Sequence, residues 1–231
     1  MIKPLSITIT ASILLFAITA IAQTPKVVVI PLNSSQRTTC TAPDEVLSLG
    51  KCWKDRNLGA TQVATSSTDS AAYGDLYQWG RTRDGHQHRW SNVVQFASAF
   101  SDDPGSDFFG NNATTFDWRY PQNHILWQGL GAINNPCPQG FRLPTDAEFE
   151  NERLSWSSND YVGAFDSPLK LVMAGYRHNF TGSLQFVDNQ GRYWTSTVSG
   201  PYSRNLTFLS GNAAMGNTYR TYGLSVRCIK D

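Results

Sequence analysis

Asn135-Pro136-Cys137-Pro138-Gln139-Gly140-Phe141-Arg142-Leu143-Pro144-Thr145-Asp146-Ala147-Glu148 is the stretch on which the fold turns. Pro136 and Pro138 flank Cys137; each ring fixes its own φ and removes a backbone donor, so the cysteine sits on a stiff extended segment. Gly140 permits a turn before Phe141. Thr145 and Glu148 have the spacing of a capping box, in which the hydroxyl accepts from the N3 amide and the carboxylate reaches back to the cap. A short helix is therefore predicted to begin at Asp146. T-x-x-E alone is a common pattern; the cysteine and its rigid approach make it informative here.

Outward from that stretch, residues 1–22 carry Lys3, an apolar run and the small-residue site Ala20-Ile21-Ala22 before Gln23, which is the layout of a cleaved signal peptide. The rival reading, an uncleaved anchor, has a run of about the minimum spanning length, and the small-residue site argues against it. We expect a secreted, periplasmic or cell-surface protein with no membrane span after cleavage, residues 23–45 as an N-terminal extension and 46–231 as one domain. A net charge of +1 with 16% charged residues gives no field for nucleic acid or anionic lipid.

Cys40, Cys52, Cys137 and Cys228 all follow the signal segment, and an even count in an oxidising compartment reads as two disulfides. Of the three pairings, we favour Cys40–Cys52, which closes a local hairpin, and Cys137–Cys228, which ties the opening stretch to the last strand. No C-x-x-C spacing supports metal ligation by these cysteines.

In chain order, Lys26–Leu32 reads as an edge strand and Asn33–Thr41 as a polar connection. Residues 46–53 read as a strand or hairpin turning at Gly50, and Tyr73–Gly80 as a short aromatic strand. Arg81–Pro121 is a long loop whose aromatic residues, including Trp90, Phe96, Phe100, Phe108, Phe116 and Trp118, should pack on the body; Val93–Phe100 is assigned a helical turn or two. Leu169–Tyr176 reads as a strand buried on both faces, and Leu184–Val198 as a hairpin turning at Asp188–Gly191. Asn205–Leu209 is a further strand. In Leu224–Cys228, alternation sends Leu224, Val226 and Cys228 inward against Ser225 and Arg227. The predicted class is α+β, with short antiparallel strands, one or two helices and long loops.

Six ordered motifs carry a family resemblance: Arg56-Asn57-Leu58-Gly59; Tyr73-Gly74 with Tyr77-Gln78-Trp79-Gly80; Asn135–Pro138 with Gly140–Thr145; Gly175-Tyr176-Arg177; Tyr193–Thr197; and Tyr222–Cys228. Over residues 46–231 the chain resembles the Fibrobacter succinogenes major paralogous domain. It is similar to the Legionella collagen-like C-terminal domain in its R-L-P-T, Y-W-x-S-T and V-R-C elements. The resemblance implies a C-type-lectin-like fold of the formylglycine-generating-enzyme type, with a small antiparallel sheet and neighbouring N- and C-terminal strands.

Three functions are weighed. The first is a non-catalytic binding module recognising a glycan or protein ligand through Gly200–Arg204 and Gly211–Tyr222, read as loops, with Tyr202, Arg204, Asn212, Tyr219 and Arg220 as contact residues; such residue types make adaptable contacts, and they also occur in ordinary turns. The second is an enzyme of the formylglycine-generating kind, which uses two close cysteines and copper near the C-terminal end, where this chain offers Cys228 alone. The third is a structural or adhesive component of a surface assembly, with Val27–Ile30 available for strand addition. Glu148, Glu150 and Glu152 are assigned to the favourable dipole of a helix start. His86 and His88 form an H-x-H of weak chelating signal, and no metal is assigned to them. The calcium-binding triplets Glu-Pro-Asn and Trp-Asn-Asp are absent, with Thr195 after Trp194; no cofactor is expected, and a structural calcium on Asp or Asn oxygens between Ser101 and Asn112 is left open.

Overall fold

Glu45–Ser48 (β1) and Lys51–Lys54 (β2) pair antiparallel in the register Glu45↔Lys54 to Ser48↔Lys51. They are joined by Leu49 and Gly50 at φ 47° and 74°. Positive φ at both central residues gives a turn whose twist matches that of the flanking strands, and Gly50 adopts it without steric cost. The Cys40–Cys52 bond closes this hairpin from outside.

The computed structural model describes residues 39–95, 98–111 and 117–231. The signal segment, the Lys26–Leu32 strand, most of the Asn33–Thr41 tract, Phe96, Asn112 and Phe116 lie outside the described residues. After β2 come Tyr77–Gln78 (β3), Val93–Gln95 (β4), Phe108–Gly110 (β5), Phe141–Arg142 (β6), Asp146–Leu154 (α1), Tyr161–Asp166 (α2), Tyr176–Arg177 (β7) and Leu184–Gln185 (β8). Gly191–Ser199 (β9), Tyr202–Leu209 (β10) and Asn212–Tyr219 (β11) are the longest strands, followed by Gly223–Leu224 (β12) and Ile229–Lys230 (β13). They form sheets ordered β1-β2-β13-β6, β11-β10-β9 and β3-β12-β7-β8, plus a parallel β4-β5 pair. The class is α+β, mostly small antiparallel sheets. Ile229 of β13 faces Trp53 of β2 and Arg142 of β6, so the C-terminal strand closes the first sheet.

α1 begins at Asp146 with the capping box complete: Glu148 N donates to Thr145 Oγ1 at 3.2 Å and Thr145 N to Glu148 Oε2 at 2.8 Å. Arg142 grips the same carboxylate with both Nη atoms at 2.8 Å. Burial opposes ionisation of Glu148, but Arg142 and the Thr145 amide hold its carboxyl below the usual range. Phe149 then packs on Trp53 and Tyr193, with ring centroids 5.3 and 6.2 Å away, in a core shared with Leu169, Leu171, Leu206 and Phe208. A second core surrounds Trp79, Trp118, Trp127 and Trp194. Each of these indoles donates to a backbone carbonyl: Thr195 O, Trp79 O, Asn134 O and Tyr77 O at 2.7–2.9 Å. The rings therefore bury apolar area and also satisfy buried backbone carbonyls.

Several expected elements differ. Leu169–Ala174 is buried but irregular; Val172 N and O bond Tyr193 Oη at 2.9 and 3.0 Å, and Met173 N bonds Ser67 O at 2.8 Å, so side-chain and loop partners replace a ladder. β8 pairs with β7 and β9 with β10, so Leu184–Val198 is no hairpin; Phe186 and Asp188 at φ 52° and 64° end the strand. Beyond Leu224 the alternation fails because Ser225 and Arg227 are buried along with Val226 and Cys228. Val93–Gln95 is extended rather than helical, as its two β-branched valines favour. In the long loop Phe108 and Trp118 are buried, whereas Trp90 and Phe100 stay 83% and 79% exposed.

Cys137 and Cys228 are bonded across a separation of 91 residues. Loop-closure entropy for a span of that length predicts a loss of about 4 kcal/mol in the Cys137→Ala/Cys228→Ala variant, read by chemical denaturation. Non-reducing peptide mapping should recover one Cys137–Cys228 cross-linked peptide; free thiols at both positions would contradict the bond.

Candidate functional site

Of the segments read as loops, Tyr202–Arg204 and Asn212–Tyr219 are strand, while Gly200, Pro201, Gly211 and residues 220–222 are turns. β10 and β11 pair from Tyr202↔Tyr219 to Leu209↔Asn212. Two-residue turns join β9–β10 at Gly200–Pro201 and β10–β11 at Ser210–Gly211, each placing its glycine at positive φ. The polar composition that suggested loops serves the inner face instead, where Ser203, Asn205 and Thr218 are buried; Thr218 Oγ1 donates to Asn205 Oδ1 at 2.9 Å.

Tyr202 and Tyr219, facing each other at the open end of that pair, start a row of aromatic rings. Their centroids are 5.2 Å apart with planes 22° from parallel. Tyr219 reaches Tyr222 at 6.3 Å, Tyr222 meets Tyr176 at 5.6 Å, and Tyr176 stacks on Phe186 at 5.9 Å. His178 lies 5.7 Å from Tyr222 on the flank. Beside the row opens a groove of about 480 Å³ lined by Arg192, Tyr202, Asn217, Thr218, Tyr219 and Tyr222. The Arg192 guanidinium carbon sits 4.2 Å from the Tyr176 ring centroid, and its Nε donates to Gln190 Oε1 at 3.0 Å. Burial lowers the pKa of Arg192, and burial beside Tyr176 raises that of the Tyr222 hydroxyl. The groove therefore offers one cation, phenols and an amide over aromatic walls.

The expected contact residues divide. Tyr202 and Tyr219 come together here. Arg204 instead donates to Asp146 Oδ1 at 2.8 Å and Asn217 Oδ1 at 3.2 Å, fastening α1 to the sheet. Asn212 stands at the opposite end of β11. Arg220 is corrected outright as a contact residue: it is wholly buried, 4.4 Å over Trp79, and donates to Asp117 Oδ2 at 3.2 Å and Ser203 Oγ at 3.1 Å. A cation in a polar segment looks solvent-facing, but here the carbonyls of a turn need its donors: Arg220 also reaches Gly200 O and Tyr202 O at 3.4 Å. Tyr176, Phe186, Arg192 and Tyr222 were missed as site residues. Tyr219-x-x-Tyr222 was the visible signal; the others arrive from strands distant in sequence.

The remaining candidates have structural partners. His86 is buried, accepts from Gln78 N through Nε2 at 3.0 Å and bonds Asp84 Oδ1 through Nδ1 at 2.5 Å, while the His88 side chain is 67% exposed. Glu152 does not belong with a helix dipole: it is fully buried and accepts from Ser48 Oγ at 2.6 Å, and burial raises its carboxyl pKa. Glu150 pairs with Arg153 at 2.7 Å. Between Ser101 and Asn111, the Asp102 carboxylate holds Arg119 and Asn123, and Asp107 accepts from Asn92 at 3.1 Å. Among the described residues the one group of three adjacent potential metal ligands is Cys40, Glu45 and Cys52, two of which form the disulfide. None of the described helices is long and apolar enough to cross a membrane.

Set against protein-family models, curated proteins and solved structures, the chain finds no match in any of the three. The functional conclusion therefore rests on the groove.

Burial lowers the His86 pKa from 6.5 to about 3, so the unfolded chain binds this proton more tightly. The resulting stability is complete above pH 6.5 and lost as pH falls toward 3. Asp117, raised by burial from 3.8 to about 6, contributes the opposite slope over that interval. The difference between the chain and its His86→Gln variant isolates the imidazole: thermal melts should show the unsubstituted chain losing on the order of 2 kcal/mol more than the variant between pH 7 and 5. Parallel pH profiles would contradict a neutral, buried His86.

Proposed function

We propose that this chain is a secreted or cell-surface binding module of C-type-lectin-like design that recognises a glycan without catalysis. The aromatic row from Tyr202 through Tyr219, Tyr222 and Tyr176 to Phe186 carries the reading. Tyr202, Tyr219 and Tyr222 line the groove with successive centroids 5.2 and 6.3 Å apart, giving apolar surfaces on the scale of single sugar rings, and the buried Tyr176 backs Tyr222 at 5.6 Å. The C–H faces of a pyranose pack on such rings, and its hydroxyls find the Asn217 amide and the Tyr222 hydroxyl in the same groove. Arg, Tyr and Asn supply stacking and hydrogen bonds; a hydrolase of the common kind would need a carboxylate pair in the groove.

Other observations agree. Export is supported by the Ala20-Ile21-Ala22 site and by two disulfides. The lectin-like design is supported by β13 pairing beside the N-terminal hairpin, by short sheets held with loops, and by the ordered motifs over residues 46–231. That likeness concerns the scaffold, and function is argued from the site. A role in a surface assembly has one observation of its own: Phe100, Ile125 and Ile133 are 79%, 67% and 71% exposed.

Each aromatic contact is worth roughly 1 kcal/mol, so Tyr219→Ala or Tyr202→Ala should weaken a glycan found on an array about fivefold to tenfold by calorimetry, with melting temperature followed in parallel. Asn212→Ala, at the far end of β11, should change nothing. Unchanged binding in both tyrosine variants would place the site elsewhere.

A further inference from the structure

We propose that the groove is selective for acidic glycans, with Arg192 as the residue that reads a hexuronate carboxylate. This rests on the glycan reading above and sharpens it to a ligand class.

Arg192 is the one charged side chain among the groove-lining residues. Its surroundings differ from those of most other described arginines; Arg89, over Tyr73 and bonded to Ala174 O at 2.8 Å, is similar but lies outside the groove, and Arg83 is exposed. Arg56, Arg81, Arg119, Arg142, Arg153, Arg204 and Arg220 each face a carboxylate of the chain. Arg177 and Arg227 have no such carboxylate but are saturated by oxygens: Arg177 donates to Gly182, His86, His88 and Ser91, and Arg227 to Asn57, Lys54 and Leu169. Arg192 has neither arrangement among the described residues. Its one hydrogen bond to the chain uses Nε, on Gln190 Oε1, which leaves the donors of both Nη atoms without a described partner.

The same guanidinium is held over Tyr176, which is itself fixed by stacking on Phe186 and by the edge of Tyr222. A cation anchored on one side by an aromatic face and at Nε by an amide keeps its remaining donors oriented at little entropic cost. Those donors suit a planar oxyanion, which a guanidinium binds bidentately and more strongly than it binds a hydroxyl. Tyr222 belongs to the aromatic row and lines the groove together with Arg192, so a sugar stacked on it lies beside that guanidinium. A neutral hexose would leave a partly buried cation desolvated and unpaired, whereas a uronate at that position completes it. The groove-lining residues include no carboxylate that would repel such a ligand.

The test compares a tetramer of galacturonic acid with the matching neutral galactose tetramer by isothermal titration calorimetry on the mature chain. The acidic tetramer should bind about tenfold or more tightly. In Arg192→Gln the ratio of the two affinities should fall to about one, and Arg192→Lys should restore only part of it, because an ammonium lacks the fork. Asn212→Ala should keep the full preference, and melting curves of both Arg192 variants show whether they fold. Equal affinities for the two tetramers, with both lost in Tyr219→Ala, would overturn the acidic preference while leaving glycan binding at the groove in place. A preference that survives Arg192→Gln would overturn the assignment of Arg192. Saturable binding of an acidic peptide with no binding of either tetramer would overturn both proposals in favour of a protein ligand.

Discussion

Four buried guanidinium groups do the work that hydrogen-bond ladders do in more regular folds. Arg81, Arg177, Arg220 and Arg227 are essentially inaccessible. Each has its donors on oxygens of segments with little or no secondary structure: Arg81 on Gly105 and Asp107, Arg177 on Gly182, His86, His88 and Ser91, Arg220 on Gly200, Tyr202 and Asn123, and Arg227 on Lys54, Leu169 and Asn57. Taking such an ion out of water costs several kcal/mol, so the arrangement persists only because charge-assisted hydrogen bonds fill most donor positions. Aromatic faces contribute as well, with Arg177 at 4.0 Å over Phe108 and Arg220 at 4.4 Å over Trp79. Even where burial lowers the pKa to about 10, as for Arg81, Arg177 and Arg227, the group keeps its proton and all five donors at neutral pH.

This constraint links fold to site. Arg220 pins the turn between β9 and β10 from beneath, at the carbonyls of Gly200 and Tyr202, and so fixes where the Tyr202 ring starts the aromatic row. Arg177, on β7, lies over Phe108 and holds the loop at residues 86–91, while its neighbour Tyr176 is buried behind Tyr222 and under Arg192. Adjacent strand residues point opposite ways, so the motif Gly175-Tyr176-Arg177 delivers one side chain to the interior and one to the row. A groove built this way is preorganised: its rings are placed before any ligand arrives, and less ordering entropy opposes binding.

What could be read from the residues follows from the same physics. Local signals held. Thr145 and Glu148 form their capping box, Gly50 turns its hairpin, and the cysteines pair as their spacing favoured. Alternation and composition mislead where an arginine is inside: Leu224–Cys228 loses its two-faced pattern because Arg227 is buried, and the polar neighbours of Arg220 suggest a contact residue where the fold buries it. Of the candidate site, Tyr202 and Tyr219 are legible as contact residues in segments that read as loops, and their pairing across two strands is not. Arg192, Tyr176 and Phe186 were not, since they meet the row through pairings between strands distant in sequence.

The four guanidinium groups are held in the interior by their hydrogen bonds, and hydrogen exchange at the arginine Nε–H groups, followed by ¹⁵N NMR, reads that directly. The four Nε–H signals of Arg81, Arg177, Arg220 and Arg227 should be resolved at neutral pH and exchange as slowly as backbone amides of the buried strands, while that of the exposed Arg83 exchanges faster. Fast exchange of all four, with the backbone core still protected, would contradict it.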